Sequence, residues 1–381
     1  MNNVPKLRFK EFSEEWEEKT FKELTKINQG LQIPISDRYL EQVENSFFYI
    51  TNEFLKDGSK NKYFIKNPPE SVLCKEEDIL MTRTGNTGQV VTNITGTFHN
   101  NFFKIKYSKD LNKNFLVEFL RLESTQNMIL RYAGTSTIPD LNHGDFYRLK
   151  INLPSKQEQE KIALFFTSID TKIEQLSKKE ELLQQYKKGV MQKIFNQEIR
   201  FKADDGSEFC EWEEKKLGQI GKFHAGGDLT KLNYSKEKSN EYVYPIYANG
   251  SGEGLYGYAT TFQYKSNCVT VSGRGTLGHA NLRKENFNAI VRLIVIEPKS
   301  NICGNFLKEA INRINFSIES TGVPQLTIPQ ISLYKVFLPC LEEQNKIAIF
   351  LSSIDTKIEQ TQKQLELSKE FKKGLLQQMF V

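Results

Sequence analysis

Gly273-Arg274-Gly275-Thr276-Leu277-Gly278 has the Gly-x-Gly-x-x-Gly spacing that lets a backbone turn approach a dinucleotide pyrophosphate, and Glu297 follows roughly 20 residues on, where such a site wants a ribose partner. That chemistry needs a helix N-terminus directly after the glycines. The residues that follow, HANLRKENFN, have no helical periodicity, and 289–296 reads as a strand, so a strand–loop–strand is expected. Asn67-Pro68-Pro69-Glu70 has the outline of a motif that grips a flipped adenine, but Glu70 cannot stack on a base and the second half of the chain has no copy. Pro139-Asp140 could open a nuclease motif. No Glu-x-Lys follows at a workable spacing, and the matching position in the second half reads Pro324-Gln325. The four histidines (His99, His143, His224, His279) lack paired ligand spacing, so no metal site is expected. None of these segments is a duplicated active site.

What is duplicated is a frame. Residues 153–175 (LPSKQEQEKIALFFTSIDTKIEQ) and 338–360 (LPCLEEQNKIAIFLSSIDTKIEQ) share sixteen of twenty-three positions at a constant offset of 185. Upstream, Arg8-Phe9-Lys10 with Trp16-Glu17-Glu18-Lys19 is matched by Arg200-Phe201-Lys202 with Trp212-Glu213-Glu214-Lys215, and Gly30 falls on Gly226. Between these ends the halves share little beyond Gly85/Gly88 and Gly275/Gly278. A tandem repeat with a shared frame and private middles implies two modules doing one kind of job on different targets.

The elements that must carry the frame are helical. After Pro154 and Pro339, apolar residues step by four and three through Ile162, Phe166, Ile169, Ile173, Leu176, Leu183, Val190 and Ile194, and again through Ile347, Leu351, Ile354, Ile358, Leu365, Leu375 and Met379. Glu180 and Lys187 interrupt the first seam; Thr361, Ser368 and Lys372 interrupt the second. Each helix spans about 40 residues, or roughly 60 Å, and the seam outlasts what a small domain covers, so the two helices are expected to pair antiparallel. The expected organisation is α+β with a pseudo-twofold internal repeat. One globular domain covers 1–153, a spacer helix 154–196, a second domain 197–338 and a second spacer helix 339–381.

Composition narrows the function. The net charge of +5 divides evenly: 1–155 holds 21 Lys/Arg against 20 Asp/Glu, and 197–339 holds 17 against 15. A lone nucleic-acid binder would be more basic; strong DNA binding here would need partners. Five cysteines, widely spaced and without Cys-x-x-Cys, fit a reduced, cytoplasmic protein. The start MNNVPKLRFKEF lacks an apolar core of a signal peptide, and no apolar run approaches membrane-spanning length.

The repeated Leu-Pro…Glu-Gln…Ile-Ala…Ile-Asp-x-Lys-Ile-Glu blocks (Leu153, Pro154, Glu158, Gln159, Ile162, Ala163, Ile169, Asp170, Ile173 and their partners at +185), with the Trp16 and Trp212 starts and the polar segments 84–88 and 274–278, resemble the specificity subunit of type I restriction-modification systems. The resemblance covers essentially the whole chain. It implies two target-recognition domains, each reading one half of a gapped, asymmetric site in double-stranded DNA, the first domain the 5′ half. It implies that the paired helices set the spacing and dock two modification subunits, which carry S-adenosylmethionine and methylate adenine. Separate restriction subunits cut. This chain would then bind no cofactor and catalyse nothing itself.

Base readout favours Arg on guanine, Asn or Gln on adenine, and small polar groups elsewhere. The candidate readers are therefore Arg83, Thr84, Asn86 and Gln89 in the first half, and Asn249, Ser251, Tyr256, Ser272, Arg274 and Thr276 in the second. Lys104, Lys106, Arg283 and Lys284 are candidates for phosphate contact or for a solvated strand edge. Ile162, Phe166, Ile169, Ile173, Leu176, Ile347, Leu351, Ile354, Ile358 and Leu365 are the candidates for helix pairing and partner docking. Two other classes compete: a stand-alone adenine methyltransferase, which needs its own cofactor site, and a coiled-coil scaffold that binds proteins without DNA dependence.

Overall fold

A computed structural model describes residues 4–56, 62–134, 137–229, 233–250, 252–316 and 325–381. The chain forms two compact units: Met1–Lys178 with Gln362–Val381, and Lys179–Thr361. Two long helices, the central Lys156–Phe195 and the C-terminal Leu341–Met379, each give part of their length to both units. The fold is α+β with the expected internal repeat.

Each unit is closed by its frame. Strand Glu17–Thr20 pairs antiparallel with Lys150–Leu153, and Glu213–Lys216 pairs in the same way with Lys335–Leu338. The strand before each Leu-Pro thus returns to the Trp-Glu-Glu-Lys start, which explains why these segments recur together. Ser155 then caps the central helix, its Oγ accepting the Glu158 N–H at 3.3 Å. The helix stops after Phe195, where Gln197 turns left-handed at φ 59°.

The private middles share the strand order of one sheet, which their sequences hide. In the first unit one sheet runs in the order Thr25–Gln29, Phe102–Tyr107, Ile79–Thr82, Val90–Val91. In the second the order is Gly221–Ala225, Ile294–Pro298, Cys268–Val271, Ala280–Arg283. Each unit also has a second four-stranded sheet containing one parallel pair, Ser46–Ile50 with Gly96–Phe98 and Tyr244–Tyr247 with Asn288–Ala289. Gly30 and Gly226 mark the same crossing: a Cβ on Gly30 would overlap the Phe98 and His99 carbonyls, and one on Gly226 would come within 2.8 Å of the Ala289–Ile290 peptide.

The main core of the first unit joins Trp16, Phe21, Phe103, Phe115 and Phe146 to Ile162 and Phe166 of the central helix and Met379 and Phe380 of the C-terminal end. Trp212, Val269, Ile296 and Phe306 join Ile194, Ile347, Leu351 and Ile354 in the second. Within the first unit the helices run antiparallel: Asp170 meets Lys372 while Phe166 meets Phe380. The seam therefore serves both helix pairing and packing on the globular part.

Two of the interrupting side chains prove to be structural. Lys372 Nζ lies 2.7 Å from Asp170 and 2.9 Å from Glu118, and Lys187 Nζ lies 2.7 Å from Asp355 and 3.5 Å from Glu309. Thr361 is buried with its hydroxyl donating to the Lys357 carbonyl at 2.7 Å. These positions were expected to weaken the seam; the lysines are instead paired at the junction of three helices. All five cysteines are free thiols. Among the described residues no helix is long and apolar enough to cross a membrane.

Candidate nucleic-acid interface

The two glycine-rich segments are hairpin tips. Ile79–Thr82 turns through 83–88 into Val90–Val91, and Cys268–Val271 turns through 273–278 into Ala280–Arg283, antiparallel in both cases. Gly85, Gly88, Gly275 and Gly278 have φ of 87°, 93°, 71° and 79°, a region open to glycine and strained for other residues. The same bonds close both tips: Gly88 N–H donates to the Thr82 carbonyl and Gly278 N–H to the Ser272 carbonyl, each at 2.8 Å. No helix follows the glycines of 273–278, so the pyrophosphate-binding geometry is absent there.

Each tip is tied down at two points. Asn52 Nδ2 donates to the Thr84 carbonyl at 2.8 Å, and Asn249 Oδ1 accepts the Gly273 N–H at 2.7 Å, so each second sheet props the first sheet's loop. On the other side lies the segment that leads back to the frame. Leu141 N–H donates to the Arg83 carbonyl and Leu326 N–H to the Gly273 carbonyl, both at 2.9 Å. Asp140 and Gln325, at offset 185, hold the loop side chains. Arg83 pairs with Asp140 at 2.7 Å, and Thr84 Oγ1 donates to the same carboxylate. Arg274 donates to Gln325 Oε1 at 2.8 and 3.3 Å. Pro139-Asp140 thus anchors the loop.

The candidate readers divide accordingly. Arg83 and Thr84 are half-buried and engaged by Asp140, while Asn86 and Gln89 are exposed on the same tip. Arg274 and Thr276 are exposed on the second tip. Ser272 is buried, its hydroxyl donating to the Arg274 carbonyl at 2.9 Å, so it shapes the turn. Asn249 is brought to that tip as a strut. Ser251 lies outside the described residues. Tyr256 sits on the second sheet, beside Tyr234 and under the Lys236 ammonium, 3.3 Å from its ring centre.

Two basic residues contradict both sequence expectations, phosphate contact and a solvated strand edge. Lys104 is buried and donates to the Leu73 carbonyl; Arg283 is buried, donating to Thr270 Oγ1 and the Glu253 carbonyl at 2.8 Å each, over the Tyr247 ring. Burial pulls the Arg283 pKa down. Both bridge the two sheets of their unit, because their strands face inward between the layers. Conversely, sequence reading missed the exposed Lys66, Lys236 and Lys238: Lys66 is set over Tyr39, which bridges to the second sheet at Phe64, and Lys236 and Lys238 over Tyr256 and Tyr258 of the other unit's second sheet. The Lys-Glu-Lys run at 236–238 near four tyrosines was the available signal.

The helix candidates lie inside. Ile162, Phe166, Leu176, Ile347, Leu351, Ile354 and Leu365 are buried, and Ile169, Ile173 and Ile358 are half-buried. The apolar surface left outside falls elsewhere: Leu164 and Ile349, Leu182 and Leu367, Tyr186 and Phe371 are all at least half exposed, and each pair is related by the offset of 185. Among the described residues no cluster of three His, Cys, Asp or Glu side chains could hold a metal.

Comparison with known proteins agrees with this architecture. The family model for the type I restriction modification DNA specificity domain matches residues 13–185 and again 210–369. A candidate type I specificity subunit of Mycoplasma pneumoniae is 30% identical over 248 residues, which are 65% of this chain and 65%, a little under two thirds, of that relative. A second from the same organism is 30% identical over 69% of this chain and 82% of its own length. The crystal structure of a type I restriction-modification S subunit from M. genitalium superposes with a TM-score of 0.67 over 99% of both chains at 20% identity, a likeness of fold.

Proposed function

The chain belongs to the type I restriction-modification DNA specificity family, and from that premise we propose that it is the sequence-reading subunit of such a system and not a stand-alone methyltransferase. Each unit reads one half of a gapped, asymmetric double-stranded site through its hairpin tip, with Asn86 and Gln89 on one side and Arg274 and Thr276 on the other. The helices that run through both units set the spacing. The single observation that carries this reading is the repeated scaffold with unlike tips: identical closing bonds at Thr82/Gly88 and Ser272/Gly278 surround different polar side chains. Equal folds with unequal readers suit an asymmetric site.

The partners are two modification subunits, which hold the S-adenosylmethionine and transfer its methyl group, and restriction subunits that cut; the complex works in the cytoplasm. Two equivalent docking patches support the stoichiometry of two, since Leu182 and Tyr186 on one helix recur as Leu367 and Phe371 on the other. An i, i+4 apolar pair exposed in both copies suits a protein surface that arrives twice.

The deciding experiment is an adenine-methylation map of plasmid DNA exposed to the modification subunit with and without this chain. Methylation at one two-part motif only when the chain is present establishes the reading. An assembled complex that yields no new motif favours the protein-binding scaffold, and methylation by the chain alone would establish an enzyme.

A further inference from the structure

Lys187 and Lys372 occupy seam positions where an apolar residue would pack, and they correspond across the repeat at offset 185. Each ammonium meets two carboxylates on two different elements. Lys372 binds Asp170 of the central helix and Glu118 of helix Lys113–Arg121; Lys187 binds Asp355 of the C-terminal helix and Glu309 of helix Gly304–Asn312. The lysines are 14% and 19% exposed, and Glu118 and Glu309 only 6% and 7%. Arg121 stands 4.0 Å from Glu118 and Lys308 2.6 Å from Glu309. Each site therefore joins the two long helices and the globular part of its own unit at one charge.

We infer that Lys187 and Lys372 are positioning residues that fix the register of the long helices, and through it the gap accepted between the two half-sites; this rests on the reading proposed above. An apolar heptad seam is nearly indifferent to a slip of one heptad, because the same residue types recur. A slip here would move Lys372 from Asp170 to Ala163 or Ser177, and Lys187 from Asp355 to Ala348 or Gln362. None of these is acidic, so either slip breaks both helix-to-helix ion pairs, and the slip toward Ala163 and Ala348 also sets each ammonium against a buried position, which is strongly unfavourable. Fixing the register of paired helices is the best-attested use of a buried polar group. The globular parts are held by the same charges, so each reading tip is referred to a single helix register.

The test uses the complex of the full chain with its modification subunit and a set of duplexes carrying both half-sites at the native gap or at gaps one and two base pairs longer or shorter. Asp170 and Asp355 are 42% and 31% exposed, so the Asp170→Asn, Asp355→Asn double variant removes the charge from the helix-to-helix pairs with little burden on folding. The expected result is unchanged half-site bases, with the preference for the native gap over its neighbours reduced at least tenfold. The Lys187→Arg, Lys372→Arg variant should retain that preference. An assembled Asn variant with wild-type gap preference would overturn the inference, as would an Asn and an Arg variant that lose it equally. Wild-type complex that modifies no two-part motif would instead sink the reading on which the inference rests.

Discussion

Glu158 and Glu343 are buried at the starts of the two long helices, and each is served by the arginine of the repeated Arg-Phe-Lys. Arg8 reaches Glu158 through two bonds of 2.7 Å, and Arg200 reaches Glu343 at 2.9 and 3.3 Å. The bonds to the two carboxylates differ by one: Trp212 Nε1 donates to Glu343 at 3.2 Å, whereas Trp16 Nε1 has no hydrogen-bond partner among the described residues. Removing one member of a buried pair costs about 3–5 kcal/mol because the other charge is left uncompensated. Arg8→Met should approach that value for the first unit in urea unfolding, and Arg200→Met should cost less for the second because the indole still serves the carboxylate. The hairpin tips differ in the same residue-level way. Arg83 faces a carboxylate, and Arg274 a neutral amide that releases it more readily. Arg274→Ala should therefore weaken binding through the second half-site by roughly 1–3 kcal/mol in a titration against DNA altered in one half-site at a time. Arg83→Ala should act mainly on the stability of its loop.

Elements explain why the frame recurs as separated blocks. Gln159 accepts the Asn112 N–H at 2.9 Å and donates to the Asp110 and Pro154 carbonyls; Gln344 does the same for Cys303, Asn301 and Pro339. One amide thus fastens the start of each long helix to the start of a helix in its globular part, Lys113–Arg121 or Gly304–Asn312. The hairpin tips depend equally on backbone. A Cβ on Gly88 would come within 2.6 Å of Gln126 Oε1, at a φ of 93°. Gly88→Ala should destabilise the tip by more than about 1 kcal/mol and reduce binding through the first half-site while leaving the second intact. Equal loss at both half-sites would show that the tip is not a local reader. Heptad periodicity made the helices legible, and the Gly-x-x-Gly pair made the tips legible. Lys187 and Lys372 looked like flaws in the seam because their carboxylates lie on other elements, far away in sequence.

At the scale of the molecule, the repeat predicts interchangeability. Each unit closes on its own strand pair, Glu17–Thr20 with Lys150–Leu153 or Glu213–Lys216 with Lys335–Leu338, so the chain between those strands is a natural block. Exchanging the two blocks while keeping both helices should exchange the half-sites in a methylation map; an unchanged motif would refute two independent readers. The docking proposed at the exposed pairs Leu182/Leu367 and Tyr186/Phe371 should survive, since they lie on helices that the exchange leaves alone.

The amino-acid sequence by itself determined the duplication, the two long helices, the α+β class and the family, because identity at fixed offset and apolar periodicity are properties of order along the chain. It also marked the two glycine tips. The tertiary structure alone decided which polar side chains at those tips are engaged, since Asp140 and Gln325 reach them from the far end of each globular part. Only the fold turned Lys104 and Arg283 inward, and only the fold revealed one sheet with the same strand order in two dissimilar middles. The physical reason is common to all three: burial and pairing depend on neighbours brought together by packing, and the sequence separation of those neighbours leaves no periodic trace.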